Sequence, residues 1–161
     1  MMGEGLRFLV GTGTERDIRD HLLACDAQFR PRLSDRVDIG EYARKVAELA
    51  LTIEAWNGTL LVGLVAAYVA TNGESCYITN VSVLPGFTGR GIATRLLRNL
   101  VTDPACRDVT AILLEVSKQS VEASRLYFSV GFRPASESGD RVLMQYVRNR
   151  GDDQVPEGPK A

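Results

Sequence analysis

The sequence predicts an α/β (α+β) domain. Its sheet is mixed and mostly antiparallel, with six to seven strands, one parallel central pair and about four flanking helices. Three stretches carry this prediction. Residues 51–83 read as three strands joined by tight turns, which is an antiparallel meander. Residues 76–116 read as strand, helix and strand, which is a right-handed crossover with both carboxyl ends at one edge. Residues 15–49 carry two amphipathic helical patterns that can cover a sheet face.

The chain has 161 residues, enough for one sizeable core and too few for two. We expect a single domain over residues 1–150 and a flexible polar tail over 151–161. The net charge of −1 offers no electrostatic case for nucleic acid or an acidic membrane. Cys25, Cys76 and Cys106 are odd in number and widely spaced. They suggest reduced, buried thiols in a cytoplasmic protein, and neither a disulfide frame nor a metal site. The start, MMGEG, lacks the basic and apolar regions of a secretion signal, and no apolar run is long enough to span a bilayer.

In chain order, Leu6 to Val10 is a short strand. Thr14, with Asp17 three residues later, is a helix-start signal. Ile18, Leu22, Cys25 and Phe29 mark one buried helical stripe, with His21, the only histidine, beside it as a surface group or a catalytic one. Residues 29–37 form a loop with three arginines, suited either to an acidic acceptor or to solvent. Asp38 and Glu41 start a second helix, with Ile39, Tyr42, Val46 and Leu49 facing inward.

Leu51 to Trp56 alternates as a strand, and Asn57-Gly58 is a two-residue hairpin signal. Thr59 to Ala70 returns, with Gly63 marking a bulge or a close approach. Cys76 to Val83 follows. Strict alternation puts Tyr77, Thr79, Val81 and Val83 on one face and Cys76, Ile78, Asn80 and Ser82 on the other. Polar groups fall on both faces, which suits a strand beside a ligand cleft or one at a sheet edge.

From Pro85 to Gly91 the chain is a glycine-bearing loop. It leads into a helix from about Ile92, with Ile92, Leu96, Leu97 and Leu100 inward. Glycines admit a close ligand, and a helix start offers free N–H groups and a positive dipole end, so the loop suits phosphate. Arg90 and Arg95 add positive charge. An ordinary strand–turn–helix connection would read the same way. A P-loop fits poorly, because Ile92 and Ala93 follow Gly91 where Lys-Ser/Thr is required. A dinucleotide fingerprint fits poorly too, because Thr94 stands at its third glycine.

Val109 to Val116 is a nearly continuous apolar run, as in a buried parallel strand. Ser120 caps the last helix and Glu122 suits its first turn. Ala123, Leu126, Tyr127 and Val130 face inward, and Gly131 stops the helix. Phe132 and then Val142 to Val147 form a closing hairpin.

Two segments resemble the GNAT (Gcn5-related) N-acetyltransferase superfamily. Thr88, Gly89, Arg90, Gly91, Ile92 and Ala93 are similar to its acetyl-CoA loop, Gln/Arg-x-x-Gly-x-Gly/Ala, with Thr88 at the Gln/Arg position. Leu114-Glu115-Val116, Ala123, Leu126-Tyr127 and Gly131-Phe132 resemble LEV…N-x-x-A-x-x-LY-x-x-x-GF, with Ser120 at the Asn position. The order of elements matches as well. The resemblance implies a GNAT-like sheet whose parallel central pair is splayed, and acetyl-CoA as acetyl donor. Amides of Thr88, Gly89, Arg90, Gly91, Ile92, Ala93 and Thr94 would hold the diphosphate, and Ser120 would be a further cofactor contact. The backbone of Val81, Ser82 and Val83 would meet the pantetheine arm as an added strand does.

The implied reaction is acetyl transfer to a primary amine, of a small molecule or amino sugar. The alternatives are a protein N-terminus or lysine as acceptor, or a non-catalytic acyl-CoA-binding module. A monomer or homodimer is expected. An amine of pKa ~10.4 needs about 4.6 kcal/mol to deprotonate at pH 7, the developing oxyanion needs an N–H donor, and the thiolate needs a proton. The resemblance gives Tyr127 the acid role. Seven residues beyond Ser120 is about 10 Å along a helix, deep relative to a diphosphate at the mouth. It suggests Glu115 as base, with Glu54, Glu41, or water relayed through Asn80 or Thr79 as other routes.

Overall fold

The computed structural model describes residues 5–148; the expected tail, 151–161, lies outside them. The strands are β1 (Leu6–Val10), β2 (Leu51–Asn57), β3 (Leu60–Val69), β4 (Ser75–Val83), β5 (Ala111–Ser117), β6 (Arg133–Ser138) and β7 (Arg141–Val147). The helices are α1 (Glu15–Cys25), α2 (Ile39–Leu49), α3 (Ile92–Thr102) and α4 (Val121–Val130). The strands form one seven-stranded sheet in the order β1-β2-β3-β4-β5-β7-β6, in which only β4 and β5 run parallel. The expected fold class is the observed one.

Local signals explain most elements. Thr14 and Asp17 form the reciprocal capping box of α1, and Asp38 accepts from the Glu41 amide at the start of α2. Between the helices, Asp26 accepts from the Ser34 amide at 2.8 Å and the Ser34 hydroxyl at 2.6 Å. These bonds, with Arg32 beside them, hold its carboxyl below the usual carboxylate range.

Helices α1 and α2 cover one face, where Ile18, Leu22, Ala43 and Val46 pack on Leu64 and Ala66. Helices α3 and α4 cover the other, where Leu96, Leu97, Leu100 and Tyr127 meet Ile53, Val65, Ile112 and Leu114. Gly63 is the point of close approach. A Cβ there would sit 2.8 Å from Ile92 Cγ2 and 3.0 Å from Leu96 Cδ1. The β2–β3 register also slips opposite it, so bulge and close approach occur together.

Several sequence expectations are corrected. Helix α1 ends at Cys25, and Phe29 packs from the loop beyond it. Leu49 is 65% exposed, because Ala43 takes the inward position of α2 instead. His21 is not a surface group but 3% exposed. In β4, Asn80 pairs with Ala66 and Ile78 with Ala67, leaving Thr79 as an extra residue. That bulge reverses the alternation. Cys76, Ile78, Val81 and Val83 lie on the α3 side, whereas Thr79 bonds to Tyr42 and Ser82 to His21 on the α1–α2 side.

Candidate active site

The parallel pair is zipped for only three residues. Ser75, Cys76 and Tyr77 pair with Ala111, Ile112 and Leu113, and beyond them the registered pairing stops. Each strand keeps its outer neighbour: β4 is paired with β3 as far as Val83, and β5 with β7 as far as Ser117. The two strands therefore part toward their carboxyl ends. Leu84 donates its amide to Val62 O on the β3 side. Backbone groups alternate along a strand, so those of Val83 and Val81 turn toward the gap.

A cleft of about 330 Å³ passes through this gap and is lined from both layers. Leu33, Arg36 and Tyr42 come from the α1–α2 side, and Ser120, Ala123 and Tyr127 from α4. Val81, Ser82, Val83, Thr88 and Glu115 line it as well. Glu115 is the one carboxylate among the described lining residues, against three guanidiniums from Arg30, Arg36 and Arg141. Arg141 Nε lies 3.7 Å from Glu115 Oε1, while Arg30 and Arg36 have no carboxylate partner among the described residues.

Thr88 marks the outer rim. Beyond it, Gly89 and Gly91 adopt φ of 77° and 78°, and open space faces each. Such left-handed φ values favour glycine. Gly91 caps α3 without a side-chain bond, and the first helical bond runs from the Arg95 amide to Gly91 O. The amides of Ile92, Ala93 and Thr94 therefore have no acceptor within the helix. Arg90 lies over Phe87, at 4.9 Å from its ring, and donates to Gly86 O at the rim. Arg95 points elsewhere, stacked 4.1 Å over Phe8 of β1.

Tyr127 is 8% exposed, with its ring edge-on to Phe132 at 6.0 Å. Burial pushes its phenol up to about 12, against a smaller opposite pull from Arg141, so the hydroxyl stays protonated at neutral pH. Ser120 caps α4, but its hydroxyl makes no capping bond and it lines the cleft.

Two alternative bases are removed by their surroundings. Glu54 is fully buried and caged by Thr12, Gly13, Thr52 and Trp56 donors at 2.6–3.2 Å, which tie the β1–α1 turn to β2. Glu41 is on the exposed face of α2, paired with Arg44 at 2.7 Å.

The structure also assembles groups that sequence reasoning placed apart. The Tyr42 hydroxyl donates to Thr79 O at 3.0 Å and is 2.8 Å from Thr79 Oγ1. His21 Nδ1 is 2.9 Å from Leu61 O, its Nε2 is 2.9 Å from Ser82 Oγ, and Ser82 Oγ is 2.7 Å from Asn80 Oδ1. Asn80 and Ser82 line the cleft, so a buried polar chain runs from α1 to its wall. The signal for it was the pair of polar residues on a central strand.

Residues 16–132 match the acetyltransferase (GNAT) family. The human N-acetylaspartate synthetase is 30% identical over 110 residues, 68% of this chain and 36% of that protein. The [ribosomal protein bS18]-alanine N-acetyltransferase of Salmonella typhimurium is 28% identical over 103 residues, 64% of this chain and 66% of that one. The PaiA N-acetyltransferase of Thermoplasma acidophilum, solved with coenzyme A, superposes with a TM-score of 0.68 at 13% identity, over 88% of this chain and 99% of that one. This chain spans well under half the length of the N-acetylaspartate synthetases it matches. With a matched span that runs from α1 to the start of β6 and includes the parted strands and the glycine rim, the chain belongs to the acetyltransferase (GNAT) family.

Proposed function

We propose that the chain moves an acetyl group from acetyl-CoA to the primary amine of a small molecule that carries carboxylates, such as an acidic amino acid. The observation that carries this reading is the cleft's charge: three guanidiniums against one carboxylate among the described lining residues. A bidentate guanidinium–carboxylate contact is strong and directional. A polyamine would meet like charge there, and a neutral amino sugar would leave the arginines unused. The N-acetylaspartate synthetases among the relatives support the same class of acceptor. The ribosomal-protein acetyltransferase relative keeps a peptide N-terminus as the second reading. The three cysteines are free and buried, which supports a reducing, cytoplasmic compartment.

The residues fit the donor. Amides of the 88–94 rim, with open space before Gly89 and Gly91, suit a diphosphate. The gap-facing backbone of Val81 and the Val83 amide offer the pantetheine arm strand-like hydrogen bonds, while Val83 O already accepts from Gln28 Nε2 at 3.1 Å; Ser82 lies between them and Ser120 opposite. The amine attacks the thioester carbonyl, an N–C bond forms, and a gap-facing amide of β4 receives the developing oxyanion. Glu115 takes the proton that the amine gives up. As the C–S bond breaks, Tyr127 donates its phenolic hydrogen toward the sulfur.

The test is a thiol-release assay with acetyl-CoA over L-aspartate, L-glutamate, glucosamine, spermidine and an alanine-initiated peptide. The acidic amino acids are expected to turn over best. Arg36→Ala is expected to raise the acceptor KM about tenfold or more, as loss of a charged hydrogen bond does, and to leave the acetyl-CoA KM unchanged. Preference for spermidine or the peptide would refute the acceptor class, and no thiol release with any amine would refute the activity.

A further inference from the structure

Thr79 is the residue at which β4 departs from a regular strand. It is the extra residue of the bulge, with Asn80 opposite Ala66 and Ile78 opposite Ala67 on β3. On the other side, the pairing with β5 has already ended at Tyr77. Thr79 thus has no registered partner on either neighbouring strand. Its peptide groups lack the ladder that holds the rest of the strand.

A side chain from the helical layer meets it. Tyr42 stands in the first turn of α2, which is fixed by the Asp38 cap and by Ile39 and Ala43 in the core. Its phenol oxygen lies 3.0 Å from Thr79 O and 2.8 Å from Thr79 Oγ1. A carbonyl oxygen only accepts, so the one phenolic hydrogen goes to Thr79 O. The Thr79 hydroxyl then donates its own hydrogen to the phenol oxygen. The two bonds close a clasp between α2 and the bulge. Burial raises the phenol above its ordinary value, so it remains a donor at neutral pH.

The clasp acts on a peptide plane. Thr79 C=O and Asn80 N–H belong to one planar unit. The next unit carries the Val81 N–H, which faces the gap. The two units share the Asn80 Cα, and Asn80 is held by its register with Ala66 and by the Ser82 hydroxyl at 2.7 Å. With the first plane gripped at its carbonyl, the direction of the second is set.

We propose that Tyr42 is a positioning residue which, through Thr79 O, aims the Val81 amide at the place where the oxyanion develops. Val81 O and the Val83 amide are left to the pantetheine arm. A hydrogen bond weakens steeply away from linearity, and a donor fixed in advance toward an oxyanion is among the larger sources of catalysis. Without the phenol, the Thr79 peptide could rotate and carry the Val81 N–H off its line. Arg36 and Val37, just before α2, line the cleft, so the wall that takes the acceptor and the edge that takes the oxyanion meet at this clasp. The oxyanion role rests on the acetyl-transfer reading of the cleft, but the direction of the amide does not.

Spectra and kinetics test it together. In ¹H–¹⁵N spectra of the unliganded protein, Tyr42→Phe, which keeps the ring and loses the donor, should displace the Asn80 and Val81 amide signals. Unmoved signals would overturn the proposal, whatever the reaction proves to be. With the best of the amines tested for thiol release, kcat should be about tenfold lower in Tyr42→Phe, short of the ~10²-fold or more that outright loss of an oxyanion donor costs. Calorimetry should show coenzyme A binding to this variant with wild-type affinity and full stoichiometry, which excludes a smaller folded fraction as the cause. Thr79→Val keeps the bond from the phenol to the carbonyl and removes only the reciprocal one, so kcat should fall by about threefold or less. Wild-type kcat in Tyr42→Phe would overturn the proposal. So would an equal loss in Thr79→Val, or a parallel loss of coenzyme A affinity in Tyr42→Phe, since the phenol would then shape the cleft as a whole. If no amine releases thiol with the wild-type protein, the acetyl-transfer reading falls, and the amide signals decide whether Tyr42 directs Val81.

Discussion

Lowering the pH from 7.5 to 5 should destabilise the wild-type protein by about 2 kcal/mol more than it destabilises His21→Gln. The magnitude follows from one residue. His21 has an unfolded value of 6.5 and a folded value of about 4, because burial opposes its charge. The folded state thus binds this proton less readily than the unfolded chain. The stabilisation is complete above 6.5 and is lost as pH falls toward 4, where the loss levels off. The difference of about 2.5 pH units corresponds to about 3 kcal/mol at the plateau and about 2 kcal/mol at pH 5. That is a large fraction of a typical domain stability of ~5–15 kcal/mol. No neighbour supplies a compensating charge: Cys25, pushed up to about 12 by burial, is a neutral thiol, and Ser82 and Leu61 are neutral partners. Carboxylates such as Asp26 also lose stabilising bonds in acid, but they do so in both proteins and cancel in the difference. Urea unfolding of wild type and His21→Gln at each pH measures the effect. Parallel pH profiles for the two proteins would refute the reasoning, since they would mean that His21 titrates in the folded state as it does in water.

Two further outcomes bear on the donor side. Tyr127→Phe should leave acetyl-CoA affinity unchanged by calorimetry and reduce turnover by about 10²-fold, the lower range for a lost proton donor. Unchanged turnover would make Tyr127 a packing residue only. Gly91→Glu should abolish measurable coenzyme A binding. It strains a residue at φ 78° and sets a negative charge at the start of α3, against the charge of a diphosphate. Wild-type affinity would show that the diphosphate lies elsewhere.

What was legible in the sequence was whatever one stretch of chain decides by itself. Thr14 with Asp17, Asp38 with Glu41, Gly58 after Asn57 and Gly131 after α4 each set a local geometry, and each element begins or ends where they indicate. The inward positions of α3 were legible because its partners are uniformly apolar. The errors arose where a partner from another element decides. Leu49 has the right period but faces solvent beyond the sheet's cover. His21 reads as a surface residue until Leu61 O and Ser82 Oγ are brought to its two nitrogens from β3 and β4. Glu54 reads as a possible base until Thr12 and Gly13, forty-odd residues earlier, close around it.

The bulge at Thr79 belongs to this second group, and most of the site depends on it. Without the extra residue, Asn80 and Ser82 would point toward α3 and α4, into an apolar layer with no partner for either. With it, Val81 and Val83 pack in that layer while Ser82 bonds to His21 and to Asn80, and both Asn80 and Ser82 line the cleft. The same strand thus keeps an apolar back, a polar front and a backbone edge turned to the gap. That edge is the cost of parting from β5: Gln28 Nε2 donates to Val83 O at 3.1 Å, and strand groups that lose a partner in a cleft are unfavourable unless water or a ligand meets them. A pantetheine arm has amides at strand-like spacing, so on the proposed reading of the cleft it is a ligand of that shape that would meet the groups exposed by the parted strands. A bulge that only terminated the sheet would need neither the buried His21–Ser82–Asn80 chain on one side of β4 nor the buried Tyr127 on the other.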